Sequence, residues 1–295
     1  MINTRLIAHD FEYAAAKTIE EATRLLARYG SQAVVLAGGT DVVAQLKYQV
    51  IAPSILVDIK KIADLDHIEE RDGLIIGATA KLGAVERYCA SRPDYRCFYD
   101  ALHAIGKIQV MNMGTVAGNL CTASPAADSA PALLVLDAAV VLAGANGRRT
   151  VALKHFFKGP RQTDKAPQEI MIHIRVPAPA PASGGAFTKL ARVGSDISKI
   201  TCAVFLTRQG GRLKKIRVAM GSVAPTPIRI RFVERQLADQ SVDAALIADV
   251  RRHVADHIQP LNDVRSTAAY RRQVAGVLFE DTFKKAWERA GGKTL

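Results

Sequence analysis

Two short stretches concentrate the residues best able to grip a ligand: Ala37-Gly38-Gly39-Thr40-Asp41 and Gly114-Thr115-Val116-Ala117-Gly118-Asn119. The first follows an apolar run, Ala33-Val34-Val35-Leu36, that reads as a buried strand. That strand runs directly into the two glycines. Consecutive backbone N–H groups left free at a strand end can converge on one spot, and such a nest binds anions, phosphate above all. Glycine is required wherever the backbone takes positive φ or must approach the ligand closely. Thr40 and Asp41 place a hydroxyl and a carboxylate beside it. On its own, a glycine pair here is more often a plain turn.

The second stretch again joins small residues to hydrogen-bonding side chains, and Thr122, Ser124 and Asp128 follow within ten residues of Asn119. Two such segments suit the two sides of a pyrophosphate. Structural roles compete: Ser124 before Pro125 looks like an N-cap, and Asp128 would favour that helix's positive end. Other chemistries are missing. The sequence has no G-x-G-x-x-G, P-loop, G-x-S-x-G or H-E-x-x-H. His253 and His257 are helically spaced but lack a third ligand. Cys89, Cys97, Cys121 and Cys202 are scattered, which argues against a zinc site or an iron–sulfur cluster of the chain's own. No metal ligands and no nucleophile with its base are expected, as fits a protein that holds a cofactor and leaves the reaction to it.

The rest of the chain must position these groups. Its 295 residues, 49% hydrophobic, suffice for one large domain or two ordinary ones. No run reaches the ~20 apolar residues of a membrane span, and Met1-Ile2-Asn3-Thr4-Arg5 lacks a signal peptide's apolar stretch. A soluble, cytoplasmic protein is expected. The net charge of +12 is spread along the chain without zinc-finger spacing or an RNA-binding aromatic pattern. An anionic ligand or an acidic protein partner fits it better than nucleic acid.

Thr18 and Glu21 have capping-box spacing before a helix that Gly30 ends. Strands are expected at 33–37, 54–59 and 73–78, mostly helix from Leu82 to Val110, and a loop over 113–120. A short helix should start at Ser124-Pro125 and run through Leu136. Strands at 138–143 and 149–153 flank Asn146-Gly147, a hairpin signal, and Glu169–Val176 alternates as another strand. The proline- and glycine-rich segment 177–185 reads as an extended connection. Strands at 185–193, 200–208 and 213–222 follow, then helices over 232–237, 242–257 and 266–290. The expected fold is therefore α+β: a first domain, 1–177, with an internal break near residue 60, and a smaller one, 178–295.

At the two glycine-containing segments the sequence resembles the FAD-binding medium subunits of the molybdenum hydroxylases, the xanthine dehydrogenase and carbon monoxide dehydrogenase group. Ala37–Asp41 is similar to the family's first FAD motif. Thr115-Val116-Ala117-Gly118-Asn119 is similar to the second, usually T-[IV]-G-G-N. Ala123–Asp128, Phe156-Phe157-Lys158-Gly159, Phe187-Thr188-Lys189 and Tyr270-Arg271-Arg272 extend the match over nearly the whole chain.

The resemblance implies a two-subdomain FAD-binding domain, PCMH or vanillyl-alcohol-oxidase-like, followed by a C-terminal domain of antiparallel sheet and helices. It implies non-covalent FAD with Leu36, Ala37, Gly38, Gly39, Thr40, Asp41 and Val42 around the phosphates. Gly114, Thr115, Ala117, Gly118 and Asn119 would hold the other side. Thr122 and Asp128 would reach polar FAD atoms, Lys189 would approach from the C-terminal domain, and Met171 would pack near the flavin ring. It further implies a large partner with a molybdenum–pterin cofactor and a small one with 2Fe-2S clusters, in a dimer of heterotrimers. Electrons would pass from a cluster through FAD to NAD, a quinone or oxygen. Ala117 departs from the family's glycine. A methyl is tolerated at negative φ and costs roughly 1 kcal/mol at positive φ. A free-standing flavin oxidase and a non-redox scaffold that has lost FAD are the competing readings. The organic substrate belongs to the large partner and is not readable here.

Overall fold

The computed structural model describes residues 7–293, so the expectation about Met1–Arg5 lies outside the described residues. The chain is α+β, as expected. It opens with a three-stranded parallel sheet of β1 (Glu12–Ala15), β2 (Ala33–Leu36) and β3 (Ile55–Asp58), in the order β1-β3-β2. Parallel neighbours need crossover connections. Helix α1 (Ile19–Tyr29) supplies the one from β1 to β2, and α2 (Val42–Lys47) lies between β2 and β3. The Thr18 hydroxyl accepts from the Glu21 N–H at 3.1 Å, and the Glu21 carboxylate accepts from the Lys17 N–H at 2.7 Å. The cap thus forms where its spacing placed it, and α1 turns Ala22 and Leu26 into the core.

A five-stranded antiparallel sheet comes next. It contains β4 (Ile68–Glu70), β5 (Gly73–Gly77), β6 (Ala139–Gly144), β7 (Gly147–Ala152) and, after a small hairpin of β8 (Phe157–Gly159) and β9 (Gln162–Thr163), β10 (Ile170–Pro177). Its order is β4-β5-β10-β6-β7. The β6–β7 turn falls on Ala145-Asn146, one residue before the expected pair, because Gly147 with φ 102° already pairs with Gly144.

Between β5 and β6 lie α3 (Leu82–Ala90), α4 (Arg96–His103), α5 (Ile108–Met113), α6 (Val116–Thr122) and α7 (Ser129–Val135). The helical stretch is broken at Pro93 and at Gly106, whose φ is 51°. Two expectations fail here. The segment 113–120 is not all loop: Val116 and Leu120, buried one turn apart, carry α6. Nor does Ser124-Pro125 begin a helix. Ala123 enters the left-handed region with φ 48°, Ser124 Oγ accepts from the Ala126 N–H at 3.2 Å, and α7 starts only at Ser129. A short local hydrogen bond has taken the serine that a helix would have used.

After α8 (Leu153–Phe156) and the β8–β10 segment, residues 178–182 lead into β11 (Ser183–Leu190), β12 (Ile200–Gln209), β13 (Arg212–Gly221) and β14 (Ile228–Arg229). This antiparallel sheet is buried on both faces. Phe187, Ala203, Phe205 and Ala219 join the core of the preceding sheets. Ala186, Val204, Leu206 and Val218 face a second core with α9 (Arg231–Leu237), α10 (Ala244–His253) and α11 (Ala268–Arg289). Burial on both sides explains why β12 reads as a continuous apolar run. His253 and His257 both pack against Phe232, His257 stacked at 4.1 Å, and among the described residues no group of three or more candidate metal ligands occurs.

Gly184 lets β11 lie against α11, since a Cβ there would overlap the Ala286 carbonyl and the Ala290 N–H. We expect Gly184→Val to destabilise the protein by about 1–3 kcal/mol, the usual cost of overpacking, read as a lower thermal midpoint. An unchanged midpoint would show that α11 yields freely.

Candidate functional site

The first glycine segment occupies the turn between β2 and α2. Gly39 has φ 76°, so a side chain there would be strained. Gly38 is constrained differently: a Cβ on it would overlap the Met113 carbonyl. On Gly114 a Cβ would come within 2.9 Å of Leu82 Cδ1 and 3.6 Å of Thr40 Oγ. The two segments, some 75 residues apart in the chain, therefore touch backbone to backbone. Outside any helix or strand, the N–H groups of Gly38, Gly39, Thr40 and Asp41 donate to no backbone carbonyl among the described residues. They form the free donor cluster that an anion nest requires.

On the second segment Thr115 caps α6, its hydroxyl accepting from the Gly118 N–H at 2.9 Å. Ala117 lies inside this helix and has no positive φ, so the methyl in place of the family's glycine carries no backbone penalty. Thr122 Oγ stands 3.1 Å from Asp41 Oδ2 and 3.0 Å from the Gly118 carbonyl, joining the segments a second time. Asn119 Oδ1 accepts from Ser129 Oγ at 2.6 Å, which leaves the amide N–H groups of Asn119 as its donors.

Asp128 and Lys189 meet across the domain junction. Lys189 Nζ donates to Asp128 Oδ2 at 2.8 Å and to the Ala104 carbonyl at 2.7 Å, and both side chains are only 8% exposed. Burial pushes the Asp128 carboxyl above its ordinary pKa, while Lys189 and Ser198 pull it down. Its second oxygen, Oδ1, is buried with no partner. An orphaned buried carboxylate oxygen is costly and calls for a donor from whatever fills the space beside it.

Asp128 is among the residues that line a cleft of about 1030 Å³. Every residue expected at the site lines it except Leu36, whose side chain instead packs near Gly39. Several lining residues carried no signal of their own. Ile105, Gly106, Val110 and Ile170 add apolar lining to that of Met171, and apolar lining has no motif. The segment after β8 adds Arg161 and Lys165, and the turn after β11 adds Ser195, Asp196 and Ile197. The family's Phe-Phe-Lys-Gly stretch was the one hint of the former. Free backbone donors and a basic rim suit a dinucleotide's phosphates, and the apolar lining suits an aromatic ring system. The residues present fit FAD.

Comparison with known proteins agrees. Residues 9–179 match the FAD binding domain in molybdopterin dehydrogenase, and residues 185–286 match the CO dehydrogenase flavoprotein C-terminal domain. The chain is 34% identical to the carbon monoxide dehydrogenase medium chain of Hydrogenophaga pseudoflava over 295 aligned residues, covering 96% of this chain and 99% of that one. It is 30% identical to the glyceraldehyde dehydrogenase medium chain of Sulfolobus acidocaldarius, covering 94% and 98%. A solved structure of the Hydrogenophaga pseudoflava carbon monoxide dehydrogenase, in a form lacking the Mo-pyranopterin moiety, superposes with a TM-score of 0.93 at 33% identity, over 96% of this chain and 99% of that one. Fold and cleft thus define a flavoprotein component of an oxidoreductase. The chain belongs to the FAD-binding medium subunits of the molybdenum hydroxylases, multi-subunit enzymes that include carbon monoxide and xanthine dehydrogenases.

Gly39→Val should abolish most FAD uptake while circular dichroism stays native; equal flavin content would remove the nest from the site. Cys121 offers an independent probe. It is the half-buried thiol of the four, lines the cleft, and has its pKa pushed up to about 11 by burial. Its alkylation should be slow near neutral pH, rise with alkali, and be suppressed by FAD. Equal labelling with and without FAD would place the cofactor elsewhere.

Proposed function

We propose that this chain is the electron-transfer subunit of a molybdenum hydroxylase complex, receiving electrons from a partner's iron–sulfur clusters and passing them through FAD to an external acceptor. The supporting observation is the cleft, in which two backbone-apposed segments leave free N–H donors beside an apolar wall and an orphaned carboxylate oxygen. Non-covalently bound FAD would supply redox chemistry that accepts electrons singly and releases them singly or in pairs.

The chain's own contribution is to hold and orient. Residues 37–42 and Gly114, Thr115, Ala117, Gly118 and Asn119 would surround the pyrophosphate, with Leu36 behind the first segment. Thr122 ties that grip together through Asp41. Asp128, fixed by Lys189, would reach a polar cofactor atom at the cleft, and Met171 with Ile105 would exclude water from the ring. No residue pair resembling a nucleophile with its base is needed for this work. The partners in this reading are a large molybdenum–pterin subunit and a small 2Fe-2S subunit, arranged as a dimer of heterotrimers. Named relatives that are medium chains or subunits of larger dehydrogenases support a multi-subunit assembly. Among the described residues no helix is long and apolar enough to cross a membrane, and four free cysteines fit a reducing cytoplasm. Two family matches, 9–179 and 185–286, support domain limits of 1–177 and 178–295, and the change from the first sheet, ending at Asp58, to the second, beginning at Ile68, supports the internal break near residue 60.

The purified protein should be yellow, with a flavin absorption spectrum and FAD released on denaturation. A colourless protein that takes up no added FAD would overturn the reading in favour of a scaffold. Substrate turnover by the isolated monomer would favour a free-standing oxidase.

A further inference from the structure

Among the described residues, four cationic side chains line the cleft: Lys158, Arg161, Lys165 and Lys189. Three are already engaged within the fold. Lys158 pairs with Asp164 at 3.0 Å. Lys165 Nζ donates to the Ala166 and Glu169 carbonyls at 3.2 and 3.1 Å. Lys189 is held by Asp128 and the Ala104 carbonyl. Arg161 is exposed and differs from them. Among the described residues its guanidinium makes no ion pair and no hydrogen bond, and the acids of its own segment, Asp164 and Glu169, serve Arg149 and Lys158.

The backbone beneath this side chain is strained. Arg161 closes the β8–β9 hairpin in the sequence Gly159-Pro160-Arg161-Gln162, where Gly159 pairs with Gln162. Proline at the second place and positive φ at the third are the pattern of a type II turn, whose third place favours glycine or asparagine. Arg161 has φ 59°, a conformation that crowds a Cβ. Its N–H donates to the Ala123 carbonyl at 3.0 Å, and Ala123 itself has φ 48°. Two non-glycine residues in the left-handed region are thus tied to each other. Ala123 follows Thr122, whose hydroxyl reaches Asp41 and joins the two glycine segments. Arg149, gripping Asp164 and Glu169, anchors the other end of the hairpin segment. A strained residue held this firmly at the edge of a ligand cleft points to a task for its side chain. A guanidinium offers phosphate two parallel N–H donors, which an ammonium group cannot.

We infer that Arg161 is a phosphate-binding residue of the cleft, presented by the hairpin tip to the phosphate oxygens of a dinucleotide. That dinucleotide is FAD itself or a nicotinamide dinucleotide that exchanges electrons with it, and the inference rests on the FAD reading above. Arg161 binds and orients, and takes no part in the transfer. The left-handed turn fixes where the guanidinium starts, and the bond to Ala123 ties that point to the end of α6.

The test uses the full chain, stripped of FAD and titrated with it, and then the FAD-loaded chain titrated with NADH while flavin absorbance is followed. Arg161→Asn removes the charge and suits the third place of the turn, so its thermal midpoint without ligand should be no lower than that of wild type. Its Kd for FAD should rise by about tenfold or more, the effect of losing a charged hydrogen bond, and should depend less on salt. Arg161→Lys should recover part of the affinity. That result supports the inference and assigns the contact to FAD. An unchanged Kd for FAD with NADH affinity about tenfold weaker supports it too, and assigns the contact to the incoming dinucleotide. Unchanged affinity for both overturns the inference and leaves the FAD reading standing. A lower midpoint in Arg161→Asn makes the side chain structural and also overturns it. Wild-type chain that takes up no FAD overturns both the inference and the reading beneath it.

Discussion

The contact on which the site depends is a backbone-to-backbone one, Gly38 against the Met113 carbonyl. No side chain can stand between them, because even a methyl on Gly38 would collide. This contact is sequence-distant, so it is paid for in loop-closure entropy, and the rest of the N-terminal domain offsets that cost. The β1–β3 sheet aims the first segment by ending β2 at Leu36. The second is held by the pairing of Lys81 with Thr115 and by the Leu82 N–H, which donates to the Gly114 carbonyl at 2.9 Å. Thr122 then closes the pair from the far side. Remove the apposition and two ordinary turns remain.

A second constraint joins the domains. Lys189 is on β11, Asp128 is at the start of α7, and Ala104 follows α4, so one ammonium group couples three elements around the cleft. Away from the cleft, Arg217 and Arg229 both pair with Asp137 and donate to the carbonyls of Val135 and Leu134 at the end of α7. Arg289 on α11 pairs with Asp100 on α4. Exposed ion pairs stabilise little. Guanidinium groups on the last carbonyls of a helix do more, since they meet acceptors that the helix cannot satisfy. The C-terminal domain is thereby fixed against α4 and α7, whose flanking residues Ile105, Gly106 and Asp128 line the cleft. A cofactor held between two domains needs that rigidity, because its contacts on one side are set by the other.

How much of this was legible in the sequence follows from where each signal is local. The glycines before α2, the Thr18 cap and the proline-rich connection into β11 depend on a few adjacent residues, and they stand where spacing put them. The failures share a different cause. Residues 113–120 looked too rich in small residues for a helix, yet α6 forms on buried Val116 and Leu120, and a Cβ on Gly118 would meet the hydroxyl of its own cap, Thr115. Ser124-Pro125 carried a sound capping signal that Ala123, in the left-handed region, pre-empted. β1 and β4 are four- and three-residue strands whose identity comes only from their partners β3 and β5. The apolar wall at Ile105 and Val110 was invisible because core residues and ring-facing residues use the same side chains. Resemblance to a family supplied the polar contacts; geometry alone could supply the apolar ones.

The charge of the chain can now be read by location. Of its basic residues, Arg217, Arg229 and Arg289 lock the domains. Arg271 is nearly wholly buried, donates to the Lys199 and Leu261 carbonyls and pairs with Asp263. Arg149 holds Asp164 and Glu169, and so fixes the segment that brings Arg161 and Lys165 to the cleft rim. Arginine therefore does the internal work, as its planar, multidentate head suits carbonyls and carboxylates. Among the described residues the positive charge without an ion pair falls on lysines and arginines alike. Arg161 and Lys165 stand at the cleft. The net charge of +12 is thus a sum over residues with different tasks, some fixing the fold from inside it and some lining the cleft.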